Sequence, residues 1–389
     1  MEDAGVLSHL CVKVSANPGT ADPAVNTRVN AGAGAQTVTL THAVTGDFED
    51  TLNTDTVTAT QKWATQYAAV ASASCTIQSI SLLFEATTNT VSKNGPYNNA
   101  TVSTASQTSF GPLGGIISAV LTTETNEKTR IRRAGTITNL MVNVGTNTRA
   151  QASTVICRLN GNNGTLTKSI TGSTTGIFED TGAHTDTVAI GDDYNFSIIS
   201  GTSTGNLNCR LLMVSYNTTN NYGMAIGGDS AGKAQSAALT RMYAYGGFDT
   251  TVATTDSVNV QTKACDTFTL SDLTIFVTAN SSAASTLTSR KNAGAGSLTA
   301  SITANTTGVY IDSTNTESDV AADQLNAQLV TGAGTSLTFV ELGVWTSQAG
   351  AVAATSRPRT VGMNLSKYSG MDLGNEMALG VNNPGSITI

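Results

Sequence analysis

The chain has 389 residues with a formal net charge of −7, and 39% of its residues are hydrophobic while 12% are charged. The acidic balance argues against nucleic acid as a partner, because phosphate binding requires clustered Lys and Arg. The hydrophobic fraction argues against disorder, and no apolar run reaches the length needed to cross a membrane. We therefore expect a folded protein with no membrane partner.

The first residues, 1–5, lack the basic start and the apolar stretch of a secretory signal. Five cysteines are present, at positions that do not match between the repeated segments described below: Cys11, Cys75, Cys157, Cys209 and Cys265. An odd set without a common register predicts buried thiols rather than a disulfide framework. We therefore expect synthesis in a reducing cytoplasm.

One pattern of residues occurs three times along the chain. Each copy has an R-x-N motif followed by a G-x-F/Y-x-D motif, and the arginine precedes the aspartate by 22 residues each time (50−28, 180−158, 312−290). Because insertions accumulate in loops, a constant interval indicates a fixed structural path, and we predict a triplicated domain. Twelve residues are the predicted structural anchors of the repeats: Arg28, Asn30, Phe48, Asp50, Arg158, Asn160, Phe178, Asp180, Arg290, Asn292, Tyr310 and Asp312.

Each copy alternates apolar residues with Thr, Ser and Asn, as in 37–40 and 298–302, and closes on a segment that ends in an aromatic residue. Alternation with a period of two is typical of half-buried antiparallel strands, while Gly, Asn and Asp between the runs favour turns. We predict an all-β chain of three tandem antiparallel β-sandwich repeats, jelly-roll-like, with Gly/Asn/Tyr-rich connectors. The predicted bounds are 1–86, 135–216 and 268–346 for the repeats, 87–134 and 217–267 for the connectors, and 347–389 for the C-terminal tail.

The first copy begins at a point where the other two copies have already formed a strand, because residues 4–7 align with 134–137. An unpaired strand edge invites association, so we expect something to cover it. Two sources stay open. The tail of the same chain could fold back, which would give a pseudo-threefold body and is the interpretation we favour, or the tail of a neighbouring chain could add its strand, which is self-association through strand exchange.

The anchor aspartates allow three interpretations. Each is followed by a second carboxylate that could add ligands for Ca²⁺, namely Asp55, Asp186 and Asp319. Alternatively, each anchor aspartate caps a turn by accepting backbone N–H groups, or pairs with the arginine of its own repeat. Only one carboxylate recurs strictly in all copies, so we predict a structural role and no metal.

No catalytic motif stands out. Residues 227–234 resemble a phosphate-binding loop, but Ala234 occupies the position where Ser or Thr would bind Mg²⁺, and we interpret the match as coincidence. The three histidines, His9, His42 and His184, have no metal-ligand spacing. We predict that the protein is not an enzyme and has no cofactor. A depolymerase remains as an alternative, although it would need paired carboxylates in a cleft.

The repeat, with its T-x-x-x-R-x-N strand, its G-x-F/Y-x-D turn and its closing aromatic strand, resembles a β-sandwich module of tailed-bacteriophage virion proteins. Residues 136–216 carry the resemblance best, and the connectors are unmatched. The resemblance implies a capsid decoration, fibre or other appendage component. Gly161 follows the asparagine in the middle copy, whereas Ala31 and Ala293 follow it in the outer copies, so this turn is a point of expected difference.

The leading hypothesis is a non-catalytic virion structural protein, synthesised in the host cytoplasm, that decorates a phage capsid through contacts with other virion proteins. The alternative is a tail-fibre or adhesin-like module that binds host-surface glycans. Its sugar-stacking residues would be connector tyrosines, or the anchor aromatics, which we otherwise predict to lie in the core. The connector tyrosines are Tyr97, Tyr222, Tyr243 and Tyr245.

Overall fold

The computed structural model describes residues 4–58, 61–86, 91–98, 100–117, 119–180, 184–218, 222–245, 254–255, 260–264, 267–347, 363–364, 377–378 and 387–388. Regular structure in these ranges consists of β-strands and one 3-10 turn, Glu124–Asn126. The predicted all-β class is therefore confirmed. The β-branched residues and short polar residues that alternate along the chain favour this pleated backbone over helix.

The strands of the first sequence copy are β1 (Gly5–Ala16), β2 (Ala24–Val29), β3 (Gly32–Thr39), β4 (Gly46–Asp50), β5 (Asp55–Val57), β6 (Trp63–Ala68) and β7 (Thr76–Ala86). They are followed by β8 (Val91–Asn94), β9 (Tyr97–Asn98), β10 (Thr108–Pro112), β11 (Ile116–Ile117) and β12 (Thr129–Arg130). The second copy contains β13 (Gly135–Asn147), β14 (Ser153–Leu159), β15 (Asn162–Ile170), β16 (Gly176–Glu179), β17 (Asp186–Val188), β18 (Asp193–Ile199) and β19 (Leu207–Thr218).

The next segment forms β20 (Tyr222–Ser236), β21 (Thr240–Tyr243) and β22 (Thr262–Lys263). The third copy contains β23 (Phe268–Ser282), β24 (Ser285–Lys291), β25 (Gly294–Ile302), β26 (Gly308–Asp319), β27 (Gln324–Val330) and β28 (Gly334–Ser347). The described part of the tail adds β29 (Met363–Asn364), β30 (Met377–Ala378) and β31 (Ile387–Thr388).

The strands of each copy form two antiparallel layers. We call the folded copies units 1, 2 and 3. In unit 1 the layer β4–β1–β7 packs on the layer β3–β2–β6. The corresponding layers are β16–β13–β19 and β15–β14–β18 in unit 2, and β26–β23–β28 and β25–β24–β27 in unit 3. Three separate hydrophobic clusters fill the space between these layers, and each takes residues from both. Burial of apolar side chains between the layers is the main source of stability for each unit.

The segments predicted as connectors pair with the units. Strands β8 and β9 pair with β19, and β10 and β12 pair with β18, so they extend both layers of unit 2. In unit 3, β20 pairs with β28, and β21 and β22 pair with β27. The predicted bounds between repeat and connector stay a prediction, since the sheets continue across them.

The tail occupies the same place in unit 1 that the connectors occupy in the other units. Strands β29 and β31 pair with β7, and β30 pairs with β6. Met377 of β30 lies opposite Thr65, as Gly111 of β10 lies opposite Phe196. Of the two sources considered for the missing strands, the tail of the same chain is therefore the one seen in the structure.

Strand β11 connects units 2 and 3 into one sheet of eleven strands, because it pairs in parallel with β9 and with β20. The close approach of this segment to β20 requires glycine at position 115, where φ is +85°. A Cβ atom on Gly115 would lie 2.5 Å from the carbonyl oxygen of Gly228. Two backbones that lie this close require residues without side chains.

Two smaller predictions concern the strands and the cores. Residues 227–234 lie inside β20, with a bulge between Gly228 and Lys233, and do not connect a strand to a helix as a phosphate-binding loop does.

Four cysteines are buried thiols that form no disulfide, as predicted: Cys11, Cys75, Cys157 and Cys209. Cys265 lies outside the described residues.

Candidate functional site

The R-x-N motif forms the same two-residue hairpin in all three units. The asparagines Asn30, Asn160 and Asn292 have φ values of 48°, 52° and 50°. The residue after each also has positive φ, whether it is alanine or glycine, which defines a type I′ turn. The predicted difference between the turn of the middle copy and those of the outer copies is therefore wrong, because Gly161 has the same left-handed backbone conformation as Ala31 and Ala293.

The asparagine and arginine side chains hold this hairpin in place. The side-chain oxygen of each asparagine accepts a 2.9 Å hydrogen bond from a backbone N–H at, or immediately before, the start of the neighbouring strand; the donors are Lys62, Asp193 and Gln324. Each arginine donates to the carbonyl oxygen three residues further on: Arg28 to Ala31, Arg158 to Gly161 and Arg290 to Ala293. Arg158 also binds both carboxylate oxygens of Glu124 at 3.0 Å.

The anchor aspartates accept hydrogen bonds from backbone N–H groups, and those of Asp50 and Asp312 come partly from the residues two and three positions further on. Asp50, Asp180 and Asp312 each accept a hydrogen bond from the backbone N–H of a threonine on the edge strand of the opposite layer, at 2.9, 3.1 and 2.7 Å. Burial acts to raise the pKa of Asp312, but the N–H groups donated by Thr299, Asn315 and Thr314 outweigh it and hold the pKa at about 2. Within the described ranges, no group of three or more His, Cys, Asp or Glu residues could hold a metal ion.

A second carboxylate recurs beside each anchor aspartate, and the residue predicted for the third unit was wrong. Asp55, Asp186 and Glu317 occupy matching positions, opposite Leu7, Ile137 and Leu270. Each accepts a hydroxyl hydrogen bond, from Thr27 at 2.5 Å, Tyr194 at 2.8 Å and Ser289 at 2.6 Å. The third member is thus Glu317 and not Asp319. The signal was available, because Glu317 follows Asp312 at the same interval as Asp55 follows Asp50.

The aromatic residues considered for sugar binding lie in or against the cores. Phe48, Phe178 and Tyr310 are half-buried and pack against the three clusters. Tyr243 and Tyr245 are only 3% and 2% exposed, so neither can stack on a sugar, which corrects that interpretation of the two residues. The sequence interpretation of these two tyrosines fails because the connector does not form a separate surface segment: β21 pairs with β27 and completes unit 3. Of the other two connector tyrosines, Tyr222 packs its ring against the guanidinium of Arg133. The side chain of Tyr97 is outside the described part of the chain.

The junction between units 2 and 3 is held by charged and polar side chains. Arg133 contacts Asp272 at 2.5 Å, and Arg132 contacts the same carboxylate at 3.6 Å. Asp272 has φ of 51° at a bulge of β23 and is nearly fully buried. Across the same junction, the rings of Tyr216 and Trp345 meet edge to face at 5.9 Å. The resulting contact combines desolvated charge with aromatic packing.

Two glutamates are buried at this junction, and neither forms an ion pair with a basic side chain among the described residues. Glu341 accepts a 2.6 Å hydrogen bond from the hydroxyl of Thr129. Among the described residues, neither carboxyl oxygen of Glu127 has a hydrogen-bond partner. Burial raises the pKa of Glu127 to about 9, with further contributions from Asp229 and Glu341, and burial raises the pKa of Glu341 to about 8. Both groups are therefore neutral in the folded protein at neutral pH.

The junction between units 3 and 1 is a polar network. Lys263 of unit 3 contacts Glu49 of unit 1 at 2.5 Å. Lys13, on β1, donates a 2.8 Å hydrogen bond to the side-chain oxygen of Gln324, whose amide nitrogen donates to Asp47 at 2.8 Å. At the junction of units 3 and 1, the edge formed by β22 and β27 of unit 3 meets the sheet of unit 1 that contains β1. At the junction of units 2 and 3, the segment after β12 of unit 2 meets the sheet of unit 3 that contains β23. Contacts of this head-to-tail kind are heterologous.

No family model matches the chain, and no curated protein matches it. Among solved structures, a chain from the structure of infectious bursal disease virus Gx strain is 12% identical, with 77% of this chain and 78% of that chain covered and a TM-score of 0.20. The structure of PNGF-II in the C2 space group is 7% identical, with 91% and 100% covered and a TM-score of 0.21. Similarities this low carry no argument about function. Within the described ranges, no helix is long and apolar enough to span a membrane.

Proposed function

We propose that the chain is a non-catalytic structural protein that works through protein–protein contacts, as a component of a phage virion and specifically of its capsid surface. The observation that supports a structural role most is the pair of junctions between units. The buried side chains Asp272 and Lys13 and the partly buried Arg133 all act there, joining one unit to another.

The recurring residues support the same role. The anchor asparagines and aspartates are engaged by backbone N–H groups of their own unit, so their chemistry is used to fix hairpins and turns. A carboxylate that accepts several N–H groups is a poor general base, because its pKa is low and its lone pairs are occupied. This is the physical reason for proposing that the anchors do not catalyse a reaction.

The virion assignment rests on the sequence resemblance and on composition. A protein with few charges and a surface of Thr, Ser, Asn and Gly suits an ordered assembly, where extensive contact matters more than repulsion between free molecules. Three linked sandwich units present a wide surface from one chain, which fits a site where several capsid subunits meet. The work of such a protein is to bury area across subunit boundaries.

Copy number in purified particles tests the proposal. Quantitative mass spectrometry of particles from the source would compare this chain with the major capsid protein. A stoichiometry comparable to that of the capsid protein supports capsid decoration. A few copies per particle would place the chain in a tail or fibre and make glycan binding the leading hypothesis. Absence from particles would overturn the virion assignment itself.

A further inference from the structure

Three side chains meet at the junction of units 1 and 3 in an arrangement that suits a reaction between two of them. The amine nitrogen of Lys13 lies 2.8 Å from the side-chain oxygen of Gln324. Asp47 contacts both partners: one oxygen lies 3.4 Å from the Lys13 amine, and the other accepts a 2.8 Å hydrogen bond from the amide nitrogen of Gln324. An amine, a carboxamide and a carboxylate are thus in mutual contact.

The lysine is unusual in its burial. Lys13 is 2% exposed, although it lies on the face of β1 opposite to the core residues Val12 and Val14. Burial lowers the pKa of the Lys13 ammonium, against the opposite effect of Asp47. A neutral amine is a nucleophile and an ammonium is not, so burial increases the reactive fraction.

The fold of the unit does not require this pair. Lys13 lies opposite Asp47 in the register of β1 and β4. The matching positions hold Asn143 opposite Ile177 in unit 2 and Phe276 opposite Val309 in unit 3. A unit therefore folds with charged, polar or apolar residues at this pair of positions. The lysine and the aspartate occur there only in unit 1, where they contact Gln324.

We propose that Lys13 and Gln324 form an intramolecular isopeptide bond that joins unit 1 covalently to unit 3. The Lys13 nitrogen attacks the side-chain carbonyl carbon of Gln324, a C–N bond to lysine forms, and the bond from that carbon to the amide nitrogen breaks. Asp47 accepts a proton from the attacking nitrogen and passes it to the leaving nitrogen, which departs as ammonia. The step consumes no oxidant, metal or cofactor. The inference does not depend on the virion assignment.

The bond would connect residues 311 positions apart in the sequence. Intact-mass spectrometry of the purified full-length chain tests it first: the expected mass is lower than that of the sequence by one ammonia. A tryptic digest is expected to contain one branched peptide that carries both Lys13 and Gln324. The full sequence mass, together with a linear peptide that ends at a cleaved Lys13, would overturn the proposal.

Variants separate this reaction from a second source of ammonia loss. Asparagine followed by glycine, as at Asn94 and Asn160, can cyclise and lose ammonia without a branch. Lys13→Arg is expected to restore the full mass, and Asp47→Asn to slow the loss. Lys263→Arg alters the neighbouring lysine of the same junction and is expected to keep the loss. An unchanged mass deficit in Lys13→Arg would count against the bond, and if that variant fails to fold, the peptide map of the unaltered protein decides.

Discussion

The hydroxyl of Thr129 donates a 2.6 Å hydrogen bond to Oε2 of Glu341, and this bond crosses both 212 positions of sequence and the junction between units 2 and 3. It gives one oxygen of a fully buried carboxyl group a partner. Glu127 lies near the same junction with no partner for its carboxyl oxygens among the described residues. The stability of this junction should therefore depend on pH.

Burial raises the pKa of Glu341 to about 8 and that of Glu127 to about 9, above the value of 4.5 expected for an unfolded chain. The folded state holds these protons where the unfolded state has lost them. The stability contribution is fully present below pH 4.5 and is lost as pH rises towards the folded values, by up to about 1.4 kcal/mol per pH unit for each group. Glu127→Gln should raise the melting temperature at pH 9 and leave it nearly unchanged at pH 4. Equal differences at both pH values would contradict this assignment.

The hairpins offer a matched test of backbone strain. Ala31 and Ala293 adopt φ of 62° and 63°, while Gly161 occupies the same turn position with φ of 78°. Ala31→Gly and Ala293→Gly should each stabilise the protein by about 0.5–1 kcal/mol, and Gly161→Ala should destabilise it by a similar amount. A Cβ atom on Gly161 would meet no heavy atom closer than 3.9 Å, so only the backbone is affected. Urea unfolding measures all three, and a neutral Gly161→Ala would contradict the strain argument.

The ion pair between Arg133 and Asp272 should be the strongest polar contact at the junction of units 2 and 3. Arg133→Ala leaves a buried carboxylate and should cost about 2–4 kcal/mol, whereas Arg132→Ala, at the longer distance, should cost less. Asp272→Asn in the Arg133→Ala background should recover part of the loss. Asparagine suits the site, because Asn139 has φ of 58° at the matching bulge of unit 2. Equal losses for the two arginines would contradict the distances.

Removal of residues 350–389 should expose the edges of unit 1 on β6 and β7. We expect a lower melting temperature and concentration-dependent self-association, since open strand edges pair with other chains. Adding the tail as a separate peptide should reverse both effects. Light scattering and thermal unfolding provide the measurements, and a truncated chain that is as stable and as monomeric as the full chain would contradict the tail pairing.

The all-β class could be predicted because it is fixed by local rules. Strand alternation acts over short distances in sequence, and its residue types reveal the conformation. Glu317 was missed because aspartate was expected at a position that needs only a carboxylate able to reach Ser289. A longer side chain reaches the same donor from the same register.

The junctions could not be predicted, because their partners lie far apart and do not recur. Arg133 with Asp272 and Lys13 with Gln324 connect segments more than one hundred residues apart. Nothing in the residue types of Tyr243 and Tyr245 distinguishes a core tyrosine from a surface tyrosine. Their burial follows from β21 pairing with β27, which depends on the tertiary arrangement.

The pairing of the tail with unit 1 has a consequence for biosynthesis. The strands that complete the first unit leave the ribosome about 300 residues after its core strands, which at typical elongation rates is a delay of roughly 15–60 s. During that time the first unit has open edges next to the newly made strands of the second and third. The order of translation therefore leaves these edges open to pairing with other strands until the tail is made, and faster elongation would shorten that period.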